Sequence, residues 1–111
     1  MAGFQARIGD YSVGHWVAYI FYFPPTTLIT GSPDTFSCEY LNASRVTDKA
    51  ARHFAWIFGI IPLPSYYHDP EAAVGAPTTF INLLQAFRTD DSYDCGDTQA
   101  EGCPTHIVGD T

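Results

Sequence analysis

The stretch Ser44-Arg45-Val46-Thr47-Asp48-Lys49-Ala50-Ala51-Arg52-His53-Phe54-Ala55-Trp56-Ile57-Phe58-Gly59-Ile60-Ile61-Pro62 decides how this chain is read. Val46, Ala50, Phe54, Ile57, Phe58 and Ile61 recur at spacings of three or four, which predicts a helix over 45–61 with one apolar stripe. Ser44 supplies its N-cap and Pro62 its end. Arg45, Lys49 and Arg52 share the opposite face, with Trp56 one turn further on.

Two further helices are expected downstream. Asp69-Pro70-Glu71 has the cap, the first-turn proline and the acid of a short helix, stopped by Gly75. After Pro77, Phe80, Leu83, Leu84 and Phe87 stand at i, i+3, i+4 and i+7. Upstream, residues 13–23 are β-branched and aromatic on both parities, the pattern of a strand buried on both faces. Pro24-Pro25 stops it, Gly31-Ser32-Pro33-Asp34 makes a turn, and Thr35–Leu41 alternates as a second, half-buried strand. No internal repeat is expected. The sum is an α+β single domain, a short antiparallel hairpin packed with two or three helices and followed by an acidic, irregular C-terminal segment.

Charge divides the 111 residues unevenly. The net charge is -7. Residues 1–88 hold five bases and six acids, whereas residues 89–111 hold six acids and no base. The chain thus reads as a near-neutral, aromatic-rich body (1–88) and an acidic C-terminal loop or tail (89–111). This balance excludes electrostatic binding to nucleic acid, which needs bases to neutralise phosphates. Stretches 11–33, 53–68 and 72–87 carry no formal charge at all. Each is broken by proline or by polar residues, so none forms a simple bilayer span.

From Asp90, the twelve positions through Glu101 resemble an EF-hand calcium loop. Asp90, Ser92, Asp94, Thr98 and Glu101 fall on ligand positions, while position six, glycine in such loops, is Cys95. That resemblance implies calcium as a cofactor; otherwise none is expected. Cys95 and Cys103 enclose a flexible loop that a disulfide can close, which would place the chain in an oxidising compartment. His15, His53, His68 and His106 form no linear ligand motif, and a zinc site from Cys95, Cys103 and His106 lacks a fourth ligand. No nucleophile elbow, dinucleotide fingerprint or phosphate loop occurs, so no enzyme is expected.

Surplus apolar and aromatic material points to protein partners. Trp16, Trp56, Tyr66 and Tyr67, with the basic residues Arg45, Lys49 and Arg52, are the candidate interface. The expected role is a non-catalytic structural or accessory subunit of a larger assembly, with lipid contact. The first host considered is a membrane-associated, energy-converting complex, as in an organelle, and the second is a virion. A secreted or extracellular binding domain closed by a Cys95–Cys103 disulfide is the alternative.

Overall fold

The computed structural model describes residues 3–109. No helix occurs among them. The chain is all-β, with ten short strands paired antiparallel. Strand β1 (Gly3–Gln5) pairs with β10 (Cys103–Val108). A four-stranded sheet has the order β2 (His15–Val17), β3 (Phe21–Phe23), β6 (His53–Ile57) and β7 (Ile61–His68). Strands β4 (Phe36–Ser37) and β5 (Leu41–Asn42) form one small hairpin, and β8 (Phe80–Ile81) and β9 (Leu84–Gln85) another.

The α+β expectation is overturned, and each predicted helix fails for a local reason. In 45–61 the β-branched and aromatic run Phe54-Ala55-Trp56-Ile57 enters a hairpin that turns at Phe58-Gly59, both at positive φ. Ser44 caps no helix, since its Oγ donates to the Thr30 carbonyl. Pro62 lies within β7, opposite Trp56; because β7 is an edge strand, Pro62 and Pro64 can lack a ladder donor there. The Asp69–Gly75 segment is extended, with isolated bridges from Glu71 to Lys49 and from Ala72 to Tyr93. The 80–87 periodicity disperses: Phe80 and Leu83 face solvent, while Phe87 is fully buried. Residues 13–23 are two strands joined by a turn at Ala18-Tyr19, again both at positive φ. Such turns match the right-handed twist of the strands they join.

An unexpected threefold repeat organises the fold. Arg7-Ile8-Gly9-Asp10, Arg45-Val46-Thr47-Asp48 and Arg88-Thr89-Asp90-Asp91 adopt one turn. In each, the aspartate accepts from its own arginine's backbone N–H (2.9, 2.7 and 3.0 Å) and from the Nε of the same residue (3.0, 2.9 and 2.9 Å). The third residue has positive φ in all three copies: Gly9 91°, Thr47 81° and Asp90 72°. The copies close into a ring. Arg7 bridges to Ala43, Arg45 to Ala86 and Arg88 to Gln5, each residue two positions before the next arginine. One position before the arginines, Ala6 N–H donates to Phe87, Phe87 to Ser44 and Ser44 to Ala6, at 2.9–3.0 Å.

The core is a stack of equivalent triads on this ring. Gln5/Ala43/Ala86, Ala6/Ser44/Phe87, Ser12/Ala50/Tyr93 and Leu28/Ala72/Gln99 are all buried. The first three each combine one large side chain with two small ones, so a narrow interior is filled without clash. Phe87 and Tyr93 meet edge to face at 5.0 Å between successive triads. On the ring's axis, Gln5 Nε2 reaches the carbonyls of Ala6, Ser44 and Phe87 at 2.8, 2.9 and 3.1 Å.

The expected acidic, irregular C-terminal segment is instead part of this core. Asp91, Tyr93, Asp97 and Gln99 are buried, and β10 closes against β1. The Gln5→Ala substitution removes the axial donor and leaves a cavity. It should destabilise the fold by about 2–4 kcal/mol in chemical denaturation.

Candidate metal centre

Each repeat carries a metal-capable side chain just beyond its turn. His15 and His53 stand eight residues after Arg7 and Arg45, and Cys95 stands seven after Arg88. The fourth member comes from pairing: β7 places His68 directly opposite His53. The corresponding partner of His15 is Phe23, a fully buried ring that stacks on His68 at 3.9 Å. Donor atoms of His15, His53, His68 and Cys95 all lie within 4.8 Å of one another. Tetrahedral bonds of about 2.0–2.3 Å separate ligands by about 3.3–3.8 Å, so small side-chain adjustments close the set.

The surroundings fit a cation. Both ring nitrogens of His15, Nδ1 of His68 and Oδ2 of Asp97 are buried without a hydrogen-bond partner. Leaving such atoms bare costs about 1–3 kcal/mol each, and coordination would satisfy one nitrogen of each imidazole. His53 Nδ1 is engaged by the Pro24 carbonyl at 3.0 Å, which leaves Nε2 facing Cys95 Sγ at 3.9 Å. Asp97 Oδ2 lies 3.9 Å from His15 Nδ1, positioned to orient that imidazole in the second shell. Burial holds His15 and His68 below the usual histidine range, so both are neutral ligands at pH 7. Burial also raises the Cys95 thiol, so binding a cation there must release its proton.

Three imidazoles and one thiol offer four donors of the types that zinc takes, close enough together for a tetrahedral set. No protein-family model and no curated protein sequence matches the chain.

The calcium-loop residues are dispersed around the third repeat. Asp94 Oδ1 accepts from Glu71 N–H, Glu101 Oε1 accepts from Tyr11 N–H, and Ser92 bridges to Thr98. Among the described residues, the gathered group of metal-capable side chains is the His₃Cys one. The disulfide also differs from expectation. Cys103 pairs with Cys38, at a Cα–Cα distance of 5.7 Å, and Cys95 is free. This bridge ties the β4–β5 hairpin to β10, where Ser37 Oγ meets His106 Nδ1 at 2.8 Å. Neither Cys103 nor His106 belongs to the metal cluster.

The candidate interface divides. Trp16 and Trp56 flank Tyr22 on one face of the four-stranded sheet, while Tyr66 packs edge-on against Phe21, Phe23 and His68. Tyr67 lies under the Arg52 guanidinium at 3.9 Å, and Arg52 pairs with Asp69. Arg45 is held by Asp48 in its turn, and Lys49 is exposed. With no helix present, these three bases form no common helical face.

The ligands escape a linear search because three come from different repeats and one from a facing strand. The spacing of eight, eight and seven after Arg-x-x-Asp was the available signal. Purified protein should hold one zinc per chain by elemental analysis. Cys95→Ser or His68→Ala should lose it and lower Tm. Because the neutral histidines and the thiolate compete with protons, zinc should dissociate on acidification through pH 6.5 and below. In the metal-free protein, folded histidines with depressed pKa bind fewer protons than unfolded ones, so stability should also fall over that range. Under denaturing, non-reducing conditions in chelator, one thiol per chain should alkylate, and peptide mapping should place it at Cys95.

Proposed function

We propose that this chain is a non-catalytic structural subunit, a zinc-stapled cap that seats on the threefold axis of a larger protein assembly. The support is the closed internal repeat. A homotrimer presents three copies of one surface around its axis, and a single chain can meet all three only by repeating its own surface three times.

The surface that would dock is the end remote from the metal. Three short strand pairs, the hairpins β4–β5 and β8–β9 and the β1–β10 pair, lead into the Gln5/Ala43/Ala86 layer, whereas the metal-capable side chains follow the Ser12/Ala50/Tyr93 layer. Each strand pair exposes large apolar side chains: Phe36 and Tyr40 on β4–β5, Phe80 and Leu83 on β8–β9, Phe4 and Ile107 on β1–β10. Apolar exposure repeated on three related edges marks an interaction site rather than scattered surface residues. The Cys38–Cys103 bridge supports residence outside a reducing cytoplasm.

A photo-crosslinking residue placed singly at Phe4, Phe36 and Phe80 in the producing cells tests this reading. All three positions should capture the same polypeptide, and the native mass of the complex should give one copy of this chain per three of the partner. Different partners at the three positions, or a one-to-one complex, would overturn it.

A further inference from the structure

Beyond the metal site the four-stranded sheet continues without cover. From His53 to Phe58 the chain advances five residues, about 16 Å at strand rise. The third repeat has no matching long hairpin there, only the short loop around Cys95. In this distal half both faces of the sheet are apolar. Trp16, Tyr22, Trp56 and Pro62 stand in register on one face, and Val17, Phe21, Ile57 and Ile61 on the other. A sheet with one wet face alternates apolar with polar residues; this one does not.

The two turns at its end lie side by side and expose Tyr19 (92%), Phe58 (64%), Ile60 (76%) and Ile61 (57%). Ala18, Tyr19 and Phe58 hold positive φ, a conformation that glycine or asparagine adopts at lower cost. The fold therefore keeps Tyr19 and Phe58 at positions where smaller residues would be more stable, and none of the described residues covers them.

We propose that these paired hairpin tips, residues 18–20 and 58–61, insert into the outer layer of a zwitterionic lipid bilayer. Trp16, Tyr22 and Trp56 then lie at the headgroup level, where amphipathic aromatic rings concentrate. Two observations select lipid over a protein occupant. The first is charge. Residues 11–33 and 53–68 contain no Asp, Glu, Lys or Arg, so the tips offer nothing to the polar rim of a protein interface. The second is backbone pairing within and between the tips, which lowers the cost of leaving water for an apolar layer. Ile20 N–H donates to Val17, Gly59 to Trp56 and Ile60 to Ile57. Phe58 N–H donates to Ile20 at 2.7 Å, joining the two tips. The chain's net charge of -7 disfavours anionic membranes, which makes a neutral headgroup layer the matching surface.

Flotation of the zinc-loaded, full-length chain with phosphatidylcholine vesicles tests this. Trp16 and Trp56 are the two tryptophans of the chain and report insertion directly. Wild type should float with the vesicles, shift its emission to shorter wavelength and be quenched by lipids brominated near the headgroup. The double variant Phe58→Asp/Ile60→Asp should keep one zinc per chain yet lose partitioning by about tenfold or more. Tyr19→Gly should raise or preserve Tm while weakening partitioning. Three results would overturn the proposal. One is wild type that ignores phosphatidylcholine, or binds only phosphatidylserine vesicles and is released by salt. Another is flotation undiminished in both variants. The third is a lipid-free dimer that the double variant converts to monomer without any flotation of wild type.

Discussion

Everything in this chain depends on the ring of three backbone hydrogen bonds among Ala6, Ser44 and Phe87. Each of these residues donates to one repeat and accepts from another, so none of the three repeats can complete its hydrogen bonding alone. Closure also brings the chain close to the axis, where there is little room. That explains why alanine and serine dominate the triads and why, in the three layers nearest the ring, each large residue is matched by two small ones. Gln5 replaces what would be a third alanine in its layer. Its amide uses the axial space to draw three carbonyls together, which anchors β1 and hence the strand that β10 must find.

The Arg-x-x-Asp turns serve the same constraint. An aspartate that accepts from the backbone and the side chain of its own arginine fixes a turn within four residues. The charge-assisted bonds are half or more buried, so each ion pair is local and self-contained. Six of the 17 formal charges are absorbed this way. The apolar hairpins at the two ends of the layer stack are left with almost none.

Strand propensity was legible where β-branched and aromatic residues crowd on both parities, as in 13–23. The low charge of the hairpins was legible too. The repeat was not, because only Arg and Asp persist in each copy and the copies are separated by 38 and 43 residues. At the remaining positions, chemistry is divided among the copies: where one triad member is Phe87, the others are Ala6 and Ser44. Complementarity across an axis thus erases the similarity that a search along the chain relies on. Two of the false helices, 45–61 and 80–87, contain a hairpin turn. A hairpin of two short strands joined by a two-residue turn returns apolar residues at intervals of three or four, as at Phe80, Leu83, Leu84 and Phe87. Its turn residues, Asn82-Leu83, lack the glycine that would have announced it, as do Ala18-Tyr19 and Glu39-Tyr40 in the hairpins upstream.

The metal centre follows from an asymmetry in the same scheme. Threefold repetition places three ligands, one per repeat, but a tetrahedral ion needs four. The second repeat meets this by lengthening its hairpin so that β7 returns with His68, while the first fills the corresponding position with Phe23 and the third has no strand there at all. Four donors therefore require the repeats to differ, and the unequal hairpins that result leave the four-stranded sheet of the first two repeats projecting past the site. Its aromatic faces have no counterpart in the third repeat to cover them. The geometry that gathers four donors thus also creates an exposed apolar element beyond them.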